Sequence, residues 1–220
     1  MSELSEAIDS VYSKFVMRDL LSFITPGAAV VGAVSLSIFQ PSDISTFLEK
    51  ASIGVYVLLF GICYMFGFAV QSFGAQMGLI KFYDPKDIPE AAKDNGRMRT
   101  REGMEAVWAH LVKFNIVANK ESKEQRERLV ILKQMSGNCA VAMLIATVLF
   151  AIKAILVLFS ITVSLPTDLA WVLPLLVVTI LGFIFLRVGH RIHREQQMAW
   201  EKTILLFQDD RKHPPADHAA

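Results

Sequence analysis

The sequence predicts an all-α polytopic membrane protein, with four transmembrane helices and a small helical layer on the cytoplasmic side. Three observations lead there. Residues 20–42, 51–80 and 169–186 contain no Asp, Glu, Lys or Arg. Uncharged apolar runs of about 18 residues or more cross a hydrocarbon core of ~30 Å at ~1.5 Å per residue. The chain is also 53% hydrophobic and only 20% charged, which is more apolar than a typical soluble domain. Finally, four crossings would put 20 of the 22 lysines and arginines on one side and only Lys50 on the other, leaving Lys153 inside a span. Basic residues stay cytoplasmic, so both ends and the one long loop are expected inside.

Taken in order, residues 1–19 carry Ile8, Val11, Tyr12, Phe15, Val16 and Leu20 at helical spacing, which predicts an amphipathic cytoplasmic helix. The apolar run after it exceeds the length of a signal h-region and follows Glu3, Glu6 and Asp9, so it is read as a permanent span rather than a cleavable leader. That first span covers 20–40, and Pro26-Gly27 predicts a kink in it. Ala28 and Gly32 form a small-xxx-small pair for close helix approach.

Residues 41–51 read as a short polar turn. Span two covers 52–74, with helix continuing to 81. Gly54, Gly61, Gly67 and Gly74 recur at six- or seven-residue steps, and Gly74–Gly78 makes a GxxxG. Such patterns mark helix-packing seams in membranes. Together 20–81 is a transmembrane hairpin.

Residues 82–137 are the helical cytoplasmic loop, opening with the breakers Pro85, Pro89 and Asn95-Gly96. Met104, Val107, Trp108, Leu111 and Ile116 then share a helical face, and residues 120–135 lead as helix into span three. A second hairpin covers 138–188. Its spans are 138–163 and 169–187, with the short link SLPTD between them and Pro174 near the outer end. A basic amphipathic helix follows at 189–208, and 209–220 reads as a disordered tail.

Several function classes find no support in the residues. A net charge of +1 does not suit direct nucleic-acid binding. Cys63 and Cys139 lie in apolar segments without CxxC spacing, which argues against a disulfide framework or zinc site. No HExxH, GxSxG or phosphate-binding glycine loop occurs, and no carboxylate pair lies within a span for acid–base work. Neither an enzyme nor a cofactor is expected.

The candidate sites each carry two readings. Lys153 lies about 15 residues after Asn138 and about 13 before Pro166, roughly midway through a bilayer at ~1.5 Å per residue. It either snorkels or is satisfied inside the bundle by a tyrosine, hydroxyl, backbone carbonyl or water, or it lines a wet cavity or pore. Pro26, Gly27, Gly32, Gly61, Gly67, Gly74, Gly78 and Pro174 are packing or hinge positions. Arg97, Arg99, Arg101, Arg126, Arg128, Arg187, Arg191 and Arg194 are candidates for an anionic ligand or anionic lipid contact. His190 and His193 share a helical spacing that suits a metal, but the surrounding arginines oppose one and no third ligand is evident.

The segments YSKFVMRDLLSFITPGA and ERLVILKQMSGNCAVAML resemble those of small bacterial four-span inner-membrane proteins, in which an Arg-Asp pair precedes a first span broken by Pro-Gly. Some of these are encoded in antiphage defence neighbourhoods. The resemblance implies an inner-membrane location and a role as a membrane effector or sensor. From the residues themselves, four spans enclose little volume, so a homo-oligomer is expected, channel-like or membrane-perturbing. The alternative is an anchor that recruits a cytosolic protein partner through the 82–138 loop and the C-terminal helix.

Overall fold

A computed structural model describes residues 20–80, 120–159 and 169–212, with side chains described for 20, 22–80, 124–159 and 170–200. Every element among these is helical. The expected 1–19 helix, the loop before residue 120 with Arg97, Arg99 and Arg101, the SLPTD link and the tail beyond 212 lie outside the described residues. Contacts divide the chain into two compact units. One comprises Met1–Ile80 with Lys133–His190; the other comprises Lys81–Leu132 with Arg191–Ala220.

The first unit opens with a single π-helical turn, Leu20–Ile24, running directly into α1, Thr25–Ile38. Pro26 explains the wide turn. It offers no N–H and its ring displaces the carbonyl four residues earlier, so the preceding residues wind outward instead of closing regular bonds. Thr25 helps by donating its hydroxyl to Leu20 O across five residues, at 3.0 Å. The anticipated kink is therefore a π turn, and Pro26 itself is buried.

After Ile38 the chain bends by 120° into α2, Pro41–Lys50. This corrects the expectation of a turn at 41–51. Pro41 occupies the first helical turn, where a missing N–H costs nothing, so it starts a helix rather than breaking one. Ile44, Phe47 and Leu48 fall on one side of α2, as their spacing requires.

Next comes α3, Ile53–Gln76. The helix stops five residues short of 81 because Gly78 adopts φ +66° and closes a Schellman cap. Leu79 N–H donates to Gly74 O at 2.9 Å and Gly78 N–H to Ala75 O at 3.1 Å. The two glycines of the Gly74–Gly78 pair differ in role: Gly78 caps, while Gly74 packs against Ile80 and against Val141 of the fourth helix.

The two remaining helices are long: α4, Lys120–Leu158, has 39 residues and α5, Leu169–Lys212, has 44. Pro174 lies near the start of α5, which continues unbroken through it and past 208 to Lys212. Residues 136–142 of α4, SGNCAVA, are all buried, because small side chains let neighbours approach from every side. Ala33, Ala146, Phe150, Ala154 and Val172 form the apolar core between α1, α4 and α5.

Helices α3, α4 and α5 each contain a stretch long and apolar enough to cross a membrane, and α1 with α2 forms a bent pair that passes the same test jointly. Large apolar side chains cover the outside of the unit: Ile53 is 83% exposed, Phe185 70% and Met65 68%. A water-soluble protein does not tolerate an apolar surface of this extent, so these helices suit a bilayer. Their hydroxyls bond to their own helix: Ser37 to Ala33 O, Ser72 to Phe68 O and Thr147 to Met143 O.

In the second unit, the described parts are residues 120–132 and 191–212. Gln197 and Met198 are buried there. Arg191 and Glu195 form an exposed i,i+4 ion pair at 3.6 Å, worth at most a few tenths of a kcal/mol in water.

Candidate functional site

Two groups of polar side chains in the first unit donate to main-chain carbonyls of neighbouring elements. The first lies beside the π turn. Asn138 Nδ2 donates to Ser22 O at 2.5 Å, and Ser22 is the residue four before Pro26. The carbonyl that proline strips of its helical partner is therefore satisfied by α4. The same Nδ2 lies 3.4 Å from Gln71 Oε1 on α3, so one amide joins three elements. Ser22 Oγ and Asn138 Oδ1 are buried without a hydrogen-bond partner.

Two α5 side chains strengthen this end. Arg187 Nη1 donates to Leu79 O, just past the Schellman cap of α3. His190, 3% exposed, has Nδ1 3.0 Å from Lys133 O. A carbonyl only accepts, so Nδ1 carries the proton. Gly137 makes room for the ring, since a Cβ there would sit 2.8 Å from His190 Nδ1. We expect Gly137→Ala to push the ring away and lower stability by about 1–2 kcal/mol, readable as a lower melting temperature in detergent. An unchanged melting temperature would show that the contact contributes nothing.

Lys153 marks the second level. Its side chain is 3% exposed. Nζ donates to Leu36 O at 3.0 Å and lies 4.3 Å from the Trp171 ring centroid. Leu36 O belongs to the last turn of α1, where carbonyls lack helical partners and the helix dipole is negative. Trp171 lies in the first turn of α5. The lysine is thus held beside the last turn of α1, with a backbone carbonyl as partner. Lys153 is five residues from the end of α4, and the ends of α1 and α5 meet it there.

Asn138 and Lys153 are 15 residues apart on α4, about 22 Å at ~1.5 Å per residue. The apolar core lies between them. A hydrocarbon slab of ~30 Å centred on that core would place both levels about 4 Å inside its borders. Polar groups cost less there than at the centre.

Among the other expected positions, Gly27 and Gly67 prove most constrained. A Cβ on Gly27 would overlap Cys63 O, and one on Gly67 would overlap Phe23 O. The backbones of α1 and α3 therefore touch directly, a contact suited to Cα–H···O attraction. Gly32 and Gly61 have nothing within reach of an added Cβ. Arg128 is exposed and Arg126 and Arg194 are half-buried. Nδ1 of His193 faces Gln196 at 3.2 Å, while Nδ1 of His190 faces Lys133 O, so the two imidazoles have separate partners. Among the described residues no cluster of three or more His, Cys, Asp or Glu is placed to hold a metal.

Sequence reasoning missed Ser22, Gln71, Gly137 and Trp171, and treated Asn138 only as a boundary. One signal was available: Pro26 orphans the carbonyl of residue 22, and Asn138 is an amide donor alone in a small-residue stretch. Comparison with protein-family models, curated proteins and solved structures finds no match to this chain.

Proposed function

We propose that the chain is a four-span, homo-oligomeric inner-membrane protein without enzymatic activity, acting as a channel-like or membrane-perturbing subunit. The π turn and α1 together supply 19 residues, about 28 Å, as the first span. The bend then lays α2 along the outer interface. The Lys and Arg distribution supports cytoplasmic ends and a cytoplasmic loop, and the resemblance noted above supports a place in bacterial antiviral defence.

The observation that carries the oligomeric reading is the division among the glycines. Gly27, Gly67 and Gly74 are consumed by contacts inside the chain, while Gly32 and Gly61 face open space. Asn138, Lys153, Arg187 and His190 each meet a backbone carbonyl inside the chain. A conduction path would therefore run between copies, not through one. Reconstitution of wild type and Gly61→Leu into liposomes tests this. The expected result is ion flux from wild type, with flux and crosslinked oligomer both reduced at least about tenfold in the variant. A wild type that remains a monomer and never conducts would overturn the proposal.

The length of α4 and α5 favours a second reading, an anchor for a cytosolic protein. At ~1.5 Å per residue they measure about 58 and 66 Å, twice a hydrocarbon core. Loss of a captured partner on deletion of residues 82–119, with assembly intact, would select it.

A further inference from the structure

The corner between α2 and α3 forms an open groove of 580 Å³ lined by residues that include Asp43, Phe47, Lys50 and Val55. We propose that this groove binds the headgroup of a zwitterionic, primary-amine phospholipid of the phosphatidylethanolamine type.

The corner is built rather than loose. Tyr56 on the first turn of α3 donates its hydroxyl to Leu48 O at 2.6 Å, and Ala51 N–H closes on the same carbonyl at 3.1 Å. The angle between α2 and α3 is therefore fixed by two bonds to one acceptor. Thr46 Oγ1 is taken by Ser42 O at 2.9 Å, which leaves its methyl group as the more available part.

Charge complementarity selects the occupant. The groove offers one carboxylate, Asp43, and one ammonium, Lys50, seven residues and two helical turns apart on α2. Seven residues span about 10 Å along the axis and return to nearly the same helix face. Lys50 suits the phosphate, and Asp43 suits an amine that still carries N–H donors. Between them, Phe47, 55% exposed, and Val55 provide apolar surface for the start of an acyl chain. One acid and one base together favour a headgroup of zero net charge over an anionic one.

The proposal rests on the four-span reading for the choice of leaflet only; the groove's chemistry is independent of it. Native mass spectrometry of the full chain, with equal additions of phosphatidylethanolamine, phosphatidylcholine and phosphatidylglycerol, tests the chemistry. The expected result is about tenfold preference for the ethanolamine lipid, equivalent to about 1.4 kcal/mol. Asp43→Asn should abolish the preference over choline, whose ammonium has no N–H. Lys50→Gln should weaken both zwitterionic lipids. Glu49→Gln, on the same helix outside the groove, should change neither. Equal retention of all three lipids, or a preference unmoved by Asp43→Asn and Lys50→Gln, would overturn the proposal. A separate arm labels Ser45→Cys with a membrane-impermeant maleimide on intact cells. Absence of outside labelling would overturn the four-span topology and the outer-leaflet assignment, whereas outside labelling with lipid indifference would overturn the headgroup site alone.

Discussion

Gly67→Ala should be among the most damaging single-methyl changes at the described residues, costing about 3 kcal/mol or more. Overpacking usually costs about 1–3 kcal/mol because side chains can shift. Here the obstacle is the main chain of the π turn: Phe23 O, with Phe23 C and Cα behind it. No rotamer change relieves a clash with backbone, so α1 and α3 must move apart. That separation would also strain the bond from Asn138 to Ser22 O and the Phe23 ring contacts with Tyr64 and Phe68, at 5.6 and 6.1 Å. Gly27→Ala should behave alike, since its Cβ would meet Cys63 O. Gly32→Ala and Gly61→Ala should instead leave the folded chain within about 0.5 kcal/mol of wild type. Reversible unfolding in detergent micelles measures all four. Equal effects at Gly61 and Gly67 would refute the packing described.

The second large effect is an asymmetry at the other level. Trp171→Ala should destabilise by about 3 kcal/mol, whereas Lys153→Met should cost under about 1 kcal/mol. Removing the ring deletes aromatic burial and leaves an ammonium in apolar surroundings with Leu36 O as its described partner. A buried charge deprived of a partner is costly, while replacing the charge itself by an apolar chain of similar length is often close to neutral. Adding Lys153→Met to Trp171→Ala should therefore recover part of the loss. The double-mutant cycle gives the coupling directly. Strict additivity would mean that the lysine and the ring do not interact.

These two sites show what the sequence exposes and what it hides. Long uncharged runs identify apolar helices because hydropathy is a local sum, and three such helices are found where α3, α4 and α5 lie. Pro26 and Gly67 were legible as special positions, but their partners were not. Which carbonyl meets which donor depends on the relative rotation of helices more than 100 residues apart, as with Asn138 and Ser22. Lys153 illustrates the same limit. Counting residues from Asn138 to Pro166 says nothing of the carbonyl and the ring that meet it, Leu36 O and Trp171. The 41–51 stretch reads as a turn for a simpler reason: a proline that ends one helix and a proline that starts the next look alike until the bend between them is known.

His190 and Arg187 carry a related lesson. Arg187 ends the expected fourth span and His190 opens the expected basic amphipathic helix, and each donates to a carbonyl of a neighbouring element. These bonds fasten α5 to the segment just after α3 and to α4.

The number of crossings is the claim on which the rest depends, and locating the two chain ends tests it most directly. Reporters that are active on only one side of the membrane, fused separately before Met1 and after Ala220, report the side of each end. Four spans, with the π turn and α1 as the first, place both ends in the cytoplasm. Ends on opposite sides would mean that only α3, α4 and α5 cross, and would contradict this account.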